Sequence, residues 1–355
     1  MRVYHIKCRN VYIKTENTFK FLGKIKNTEN QTVKAENDQR GGRWEKKNTE
    51  IFPVKTGQKF YFWVIFRYDK SRMKKKRKKM RTICLMTMLC MGLSGCGKQQ
   101  EPLTAAFLKV GKADAIVISR GEEALLIDTG EEDDGEKILE YMESQGIRQV
   151  QTMILTHFDK DHVGGADHIL QGIPVEQVLE PDYAGSGKQY REYADTKENA
   201  GEVRAVTAEE TFSFAGATVT VYPSALTPED ILDSGEKEYD NDLSLAVRLV
   251  DEDNTFWFLG DAKVLRIREL LDTEVLTGGC QVLKLPHHGR YSSETRPLLE
   301  TVKPDNVVIC CSGKNPPEEE TLRELERLDI PAWETADGNV YAVSDGKTVR
   351  MRQGR

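Results

Sequence analysis

Several features that mark other protein classes are missing from this 355-residue sequence. None of its seven cysteines forms a C-x-x-C pair, which argues against a structural zinc knuckle. The longest apolar run, residues 82–95, is shorter than the roughly 20 residues that a membrane-spanning helix needs. Residues 103–355 contain no repeat of fixed period and no low-complexity segment, which excludes a repeat architecture there.

Basic charge is scarce in the larger part of the chain. Residues 1–95 hold 24 Lys and Arg against 7 Asp and Glu, whereas residues 96–355 hold 27 basic and 50 acidic residues, a net charge of −23. An acidic globular part repels polyanions unless bound cations or a local basic patch offset its charge. This charge therefore disfavours DNA as a partner.

A basic segment followed by an apolar one has the form of an export signal. Lys74–Arg81 carry the positive charge and Thr82–Gly92 form the apolar region. The following Leu-Ser-Gly-Cys resembles a bacterial lipobox and implies lipidation of Cys96. We therefore predict a lipoprotein signal peptide at 73–95 and attachment to the extracytoplasmic face of the cell membrane.

The segments on either side of this signal follow from it. Residues 1–72 are predicted to be a non-native extension from a misplaced gene start, with a disordered basic tail as the alternative. Residues 96–102 would be a short tether. A short core helix or a truncated membrane anchor is the competing interpretation of the apolar segment.

Strand-like and helix-like segments alternate after residue 103. Short apolar stretches bounded by glycine or charge predict strands, and amphipathic stretches such as Glu136–Ser144 predict helices. Two similar halves favour an α/β fold in which two sheets pack face to face with helices outside. Cys280, Cys310 and Cys311 lie in strand-like runs and are predicted to be buried thiols.

Histidine and aspartate concentrate in a few places at predicted strand ends. Such nitrogen and oxygen donors, placed where a strand turns into a helix, suit a divalent cation. Gly164 and Gly165 remove side chains, so that the first of these turns can close. The candidate ligands are His157, Asp159, Asp161, His162, Asp261, His287 and His288.

Four ordered motifs carry a family resemblance. LLIDTG (125–130), THFDKDHVGG (156–165), FLGD (258–261) and LPHHG (285–289) closely resemble the metallo-β-lactamase superfamily, in its competence-type (ComEC-like) branch. The resemblance covers nearly all of residues 103–350. It implies a four-layer αβ/βα sandwich for residues 103–355, with a hydrolase site that holds two divalent metals, Zn²⁺ or Mn²⁺.

The resemblance also implies a role for each motif residue. His157 and Asp159 would hold the first metal, Asp161 and His162 the second, and Asp261 both. One histidine of the 287–288 pair would complete the second site, with His288 favoured. Asp161 would also orient a bridging hydroxide, His287 would donate to the leaving group, and Asp128 would orient neighbouring loops.

Some positions depart from the family pattern. The usual mid-sequence histidine of the first metal has no counterpart, and Asn241 or Asp242 occupies that region. Arg290 replaces the usual serine after the paired histidines. Lys160 is either a substrate contact or a solvated charge. Asp114 is expected to cap a turn, and His168 to pack or lie on the surface.

These observations predict an extracytoplasmic phosphodiesterase acting on a small or cell-wall phosphate ester. The competence-type resemblance keeps a DNA-degrading nuclease open as an alternative. The missing first-site histidine keeps open a second alternative, a non-catalytic metal- or ligand-binding lipoprotein. The sequence does not fix the oligomeric state.

Overall fold

The computed structural model describes residues 101–236 and 239–354, together with the backbone of four short strands nearer the N-terminus. The chain divides into two compact units, residues 1–98 and 99–355. Cys96 and the predicted signal at 73–95 lie outside the described residues. No helix among the described residues is long and apolar enough to cross a membrane.

The described strands of the first unit form two antiparallel hairpins. Strand β1 pairs with β2 and β3 pairs with β4. Their bounds are β1 Tyr12–Thr15, β2 Thr18–Phe21, β3 Thr49–Lys55 and β4 Tyr61–Arg67.

The second unit is built on two mixed sheets. The first has eight strands in the order β10-β9-β8-β7-β6-β5-β18-β19, and it is parallel from β7 to β10. Its strands are β5 Leu103–Phe107, β6 Ala115–Arg120, β7 Glu123–Thr129, β8 Val150–Ile154, β9 Val175–Pro181, β10 Glu202–Val206, β18 Val340–Ser344 and β19 Val349–Gln353.

The second sheet has seven strands in the order β11 to β17. It is antiparallel from β11 to β14 and parallel from β14 to β17. Its strands are β11 Glu210–Phe214, β12 Ala217–Tyr222, β13 Ala246–Asp251, β14 Asn254–Phe258, β15 Val282–Lys284, β16 Val307–Ile309 and β17 Ala332–Glu334.

Eight α-helices are described. They are α1 Gly135–Ser144, α2 Lys160–Val163, α3 Ala166–Gly172, α4 Lys188–Thr196, α5 Pro228–Asp233, α6 Val264–Asp272, α7 Thr295–Val302 and α8 Glu319–Arg327.

Three apolar cores show how these elements stack. One core joins alternate residues of the two sheets, such as Ile116, Val247 and Phe256. A second lies between the first sheet and α1 and α3, and a third between the second sheet and α6 to α8. Strands buried on both faces explain the near-continuous apolar runs of the sequence. The predicted α/β sandwich is confirmed.

Candidate metal centre

The candidate ligands meet at one edge of the sandwich. The chain leaves β7, β8, β14 and β15 at this edge, and these strands lead into the four motifs. Ligand sites of open α/β sheets form beyond the carboxyl ends of parallel strands, because the loops that follow neighbouring strands meet there. Both sheets contribute such loops here, so the two histidine clusters, far apart in sequence, converge.

Close backbone packing draws the two sheets together at this edge. The backbone N–H of Leu245 donates to the carbonyl of Thr156, and the N–H of Asp261 donates to Ser244 Oγ. Gly260 has φ +53°, and a Cβ there would lie 2.8 Å from Thr156 Oγ1. Only glycine allows the two backbones to come this close, and the close approach places Asp261 beside the histidines and aspartates of residues 157–162.

Four residues bring ligand atoms together at distances that suit one metal ion. His288 Nε2 lies 3.3 Å from Asp161 Oδ2 and 3.0 Å from Asp261 Oδ2. His162 Nε2 lies 3.2 Å from Asp261 Oδ1. Two donors on a tetrahedral zinc ion, each about 2.0–2.2 Å from the metal, stand roughly 3.3–3.5 Å apart. The set Asp161, His162, Asp261 and His288 therefore fits a divalent cation.

His157 brings a second group of donors to the same place. Ligand atoms of His157, His162 and Asp261 all lie within 4.8 Å of one another. Asp159 Oδ2 lies 3.7 Å from His157 Nε2, and its side chain is 41% exposed. The first-metal side of the centre is therefore more open than the second.

Hydrogen bonds from behind fix the orientation of each histidine ring. His157 Nδ1 lies 3.1 Å from Thr156 Oγ1, and His162 Nδ1 lies 2.8 Å from Asp128 Oδ2. His288 Nδ1 lies 3.2 Å from the Cys310 carbonyl oxygen. All three Nε2 atoms are buried and make no hydrogen bond within the described structure. Metal-binding histidines have this arrangement, with one nitrogen held and the other free for the ion.

The centre carries an excess of negative charge. Burial lowers the pKa of His288, but the Asp261 and Asp161 carboxylates outweigh it and raise this pKa to about 9. Burial opposes ionisation of Asp161 as well, yet the neighbouring histidines and Lys112 hold its pKa well below the usual range. A bound divalent cation would displace these protons from the buried imidazoles and would neutralise the carboxylates in their place.

Two lysines in the centre were not predicted from the sequence. The fully buried amine of Lys284 contacts the Asp114 carboxylate and donates to the Gly260 carbonyl at 2.9 Å. Lys112 donates to Asp161 Oδ2 at 2.5 Å. Lys284 could have been noticed, because a lysine inside the apolar run before LPHHG is unusual and indicates a buried, paired amine. Nothing in the VGKAD turn distinguishes Lys112 from a solvated charge.

Asp114 lies within the centre rather than at its rim. Its Oδ2 is 3.8 Å from His162 Nδ1 and its Oδ1 is 3.7 Å from His288 Nδ1. These are the nitrogens behind the rings, so Asp114 supports the histidines from the same side as Asp128. The expectation that Asp114 caps its turn was wrong, because neither of its carboxylate oxygens accepts a hydrogen bond from a backbone N–H within the described structure.

The paired histidines face different surroundings. Both adopt left-handed backbone angles, φ +50° for His287 and +55° for His288, which cost a non-glycine residue about 1–2 kcal/mol each. This turn directs His288 toward Asp161, while His287 lines an adjoining cavity of about 210 Å³ with Lys263, Arg290 and Tyr291. Burial lowers the pKa of His287 to about 4, so this imidazole is neutral at pH 7.

The remaining predicted residues make other contacts. Asp242 Oδ1 accepts from the Arg266 N–H in the first turn of α6 at 3.0 Å, and so holds that helix. Asn241 is buried and its Oδ1 makes no hydrogen bond within the described structure. Lys160 is 66% exposed and lies 3.7 Å from Glu131. His168 contacts only its neighbour Asp167 among the ionic partners described.

A sequence profile described as the metallo-beta-lactamase superfamily matches residues 108–314. The chain belongs to this superfamily. Its members are generally metal-dependent hydrolases, and the four motifs that bring the ligands together all lie inside the matched range. The predicted metallo-β-lactamase fold is confirmed. The fold implies binding of divalent metal, and five of the candidate ligands lie in groups whose ligand atoms are close enough together to hold an ion: His157, Asp161, His162, Asp261 and His288.

Two curated proteins with names related to recombination and competence are similar to this chain. Recombination protein 2 of Haemophilus influenzae is 28% identical over 237 residues, which cover 64% of this chain and 27% of that protein. ComE operon protein 3 of Bacillus subtilis is 24% identical over 207 residues, which cover 57% and 25%. The chain therefore spans about a quarter of the length of these relatives.

Solved structures are more distant. CmlA, a diiron β-hydroxylase from Streptomyces venezuelae, is 15% identical with a TM-score of 0.44, and the match covers 66% of this chain and 52% of CmlA. An isothiocyanate hydrolase from Delia radicum gut bacteria is 15% identical with a TM-score of 0.41, covering 66% and 97%.

Proposed function

We propose that this superfamily member is a dinuclear phosphodiesterase that acts outside the cytoplasmic membrane on a small or cell-wall phosphate ester. The observation that carries the proposal is the convergence of three buried Nε2 atoms with the Asp161 and Asp261 carboxylates, with each ring held from behind. Two divalent cations bound there would activate a water at neutral pH and stabilise negative charge on phosphoryl oxygens.

The chain's own residues prepare this site in three ways. Asp128 and the Cys310 carbonyl hold Nδ1 of His162 and His288, which leaves Nε2 free as a ligand. Asp161 and Asp261 supply the negative charge that attracts cations. His287 is neutral at pH 7, so in the adjoining cavity it would serve as a hydrogen-bonding group for the leaving group rather than as a charged acid.

Charge supports a small substrate over a long nucleic acid. Residues 96–355 carry a net charge of −23, and two bound cations would add only four positive charges locally. Tracking a strand requires a row of cationic contacts with stacking aromatic side chains. In residues 96–355 the nearest candidate for such a row is the short stretch Lys188–Arg191. The acidic surface should therefore favour a substrate with one or two phosphates.

A competence-associated DNA nuclease is the second candidate. The matches to Recombination protein 2 and ComE operon protein 3 favour it. Gel-shift and cleavage assays at about 0.15 M salt would separate the two, with single-stranded DNA, bis-p-nitrophenyl phosphate and p-nitrophenylphosphorylcholine as substrates. We expect weak DNA binding and higher catalytic efficiency on the small esters. Sub-micromolar DNA affinity with processive degradation would make the nuclease the better account.

The proposed location rests on the sequence before residue 97. Cys96 follows a basic and an apolar segment, and its acylation would hold the catalytic unit at the membrane surface. More than one acyl chain is needed for stable attachment, as lipidation of both a thiol and an amino group would provide. Metal content tests the non-catalytic alternative, because a binding lipoprotein without turnover need not retain two metals.

A further inference from the structure

Lys112 lies at the rim of the metal centre in the turn between β5 and β6. Its amine donates to Asp161 Oδ2 at 2.5 Å, and its side chain is 33% exposed. The backbone of the same turn is fixed, because the Asp114 N–H donates to the Asp161 carbonyl at 3.0 Å. The turn that carries Lys112 is therefore held beside Asp161 by its backbone, while the amine is held there by charge.

The oxygen that Lys112 contacts is the one that also faces His288. Asp161 Oδ2 lies 3.3 Å from His288 Nε2, in the group of donors that fits a divalent cation. An ammonium carries three N–H donors. One of them can remain on Asp161 while the others, on a side chain that is 33% exposed, are available to an anion that binds beside the metal.

The second lysine of the centre has no such freedom. Lys284 is 0% exposed, and its amine is engaged by Asp114 and the Gly260 carbonyl. Of the two described lysines whose amines touch predicted ligands, only Lys112 combines that contact with solvent access. Lys284 is suited to neutralising buried carboxylates, whereas Lys112 is placed to meet an incoming anion.

We propose that Lys112 binds a non-bridging phosphoryl oxygen of the substrate and thereby selects a small phosphodiester with an anionic phosphoryl group. This assignment deepens the proposed function and rests on it. One lysine beside the metal centre neutralises one phosphate, which suits a small ester better than a nucleic-acid strand. The amine sits on a flexible four-carbon stem, so it can follow the phosphoryl group without moving Asp161.

Phosphate binding and turnover would be measured on the metal-loaded full chain, using the Lys112→Met and Lys112→Arg variants. Inorganic phosphate is the probe, by calorimetry and as an inhibitor of bis-p-nitrophenyl phosphate hydrolysis. We expect Lys112→Met to weaken phosphate binding about tenfold or more and to raise KM more than it lowers kcat. Lys112→Arg should retain most of the binding, since it keeps the charge.

Lys137→Met is the matched control, because Lys137 donates to Asp134 at 2.6 Å in an ion pair outside the centre. It should match the wild type in both assays. Phosphate affinity of Lys112→Met within twofold of wild type, at equal metal content, would overturn the proposal. Loss of metal in Lys112→Met would also overturn it, because Lys112 would then only support Asp161. If the wild type bound phosphate but hydrolysed no diester, the proposed phosphodiesterase function would be wrong. The calorimetry would still test the role of Lys112, because it measures phosphate binding and not turnover.

Discussion

Replacing Asp128 by asparagine should weaken metal binding without touching a metal ligand. Asp128 is fully buried and accepts from the Thr156 N–H at 2.7 Å, Thr156 Oγ1 at 2.8 Å and His162 Nδ1 at 2.8 Å. Its φ of +57° is one that asparagine tolerates, so Asp128→Asn avoids the backbone strain that other residues would add.

The size of the effect follows from these three bonds. An asparagine has one acceptor oxygen where the carboxylate has two, so at least one donor of the three loses its partner, at a cost of about 1–3 kcal/mol in the free energy of unfolding. The weaker, neutral acceptor behind His162 should lower metal affinity about 10- to 100-fold. Affinity would be measured by competition with a chromophoric chelator, and stability by urea unfolding of the metal-free protein.

Asp251→Asn provides the matched control. Asp251 is also buried, and it accepts from Arg120 Nη2 at 2.7 Å and Ser344 Oγ at 2.6 Å, away from the centre. It should lose stability on a similar scale and keep wild-type metal affinity. The reasoning is refuted if Asp128→Asn binds metal within twofold of wild type, or if Asp251→Asn loses as much affinity.

Three further outcomes are expected. Asp261→Ala should lose metal and activity together, because Asp261 lies within 3.2 Å of both His162 and His288. His168→Ala should keep both metal and activity. Two metals bound at wild-type affinity in Asp261→Ala would contradict the assigned geometry. Metal affinity should rise as pH increases toward about 9, since the raised pKa of His288 means that a proton must leave before the ion binds; an affinity that is flat from pH 6 to 9 in chelator competition would oppose this. Cys96→Ala should abolish labelling by a fatty-acid analogue in cells, and undiminished label would remove the lipoprotein prediction.

The sequence predicted those parts of the fold that have strong local signals. Apolar strands such as Val150–Ile154 and the motif residues could be placed because buried parallel strands are continuous apolar runs. No helix was predicted for the polar residues 182–202, yet they contain helix α4, where Tyr193 is fully buried in the core between the first sheet and its helices. Helix α6 was missed although its sequence is amphipathic.

The convergence of the candidate ligands could be predicted from the sequence, whereas most of the contacts that support them could not. Strand ends and residue types place His162 and Asp261 together, because the fold brings those ends to one edge. The contact of Lys284 with Asp114 joins residues 170 positions apart, and no local pattern encodes it. The choice between His287 and His288 depends on two left-handed residues in one turn, which the letters PHHG do not reveal.

Metal content and diester hydrolysis measured on the same samples test the central claim most directly. The metal-free chain would be titrated with Zn²⁺ or Mn²⁺, and bound metal compared with the rate on bis-p-nitrophenyl phosphate. We predict about two tightly bound ions per chain, a rate that rises with occupancy, and complete loss on chelation. Absence of tightly bound metal, or two bound ions with no hydrolysis of any diester, would contradict the assignment of this centre as a phosphodiesterase.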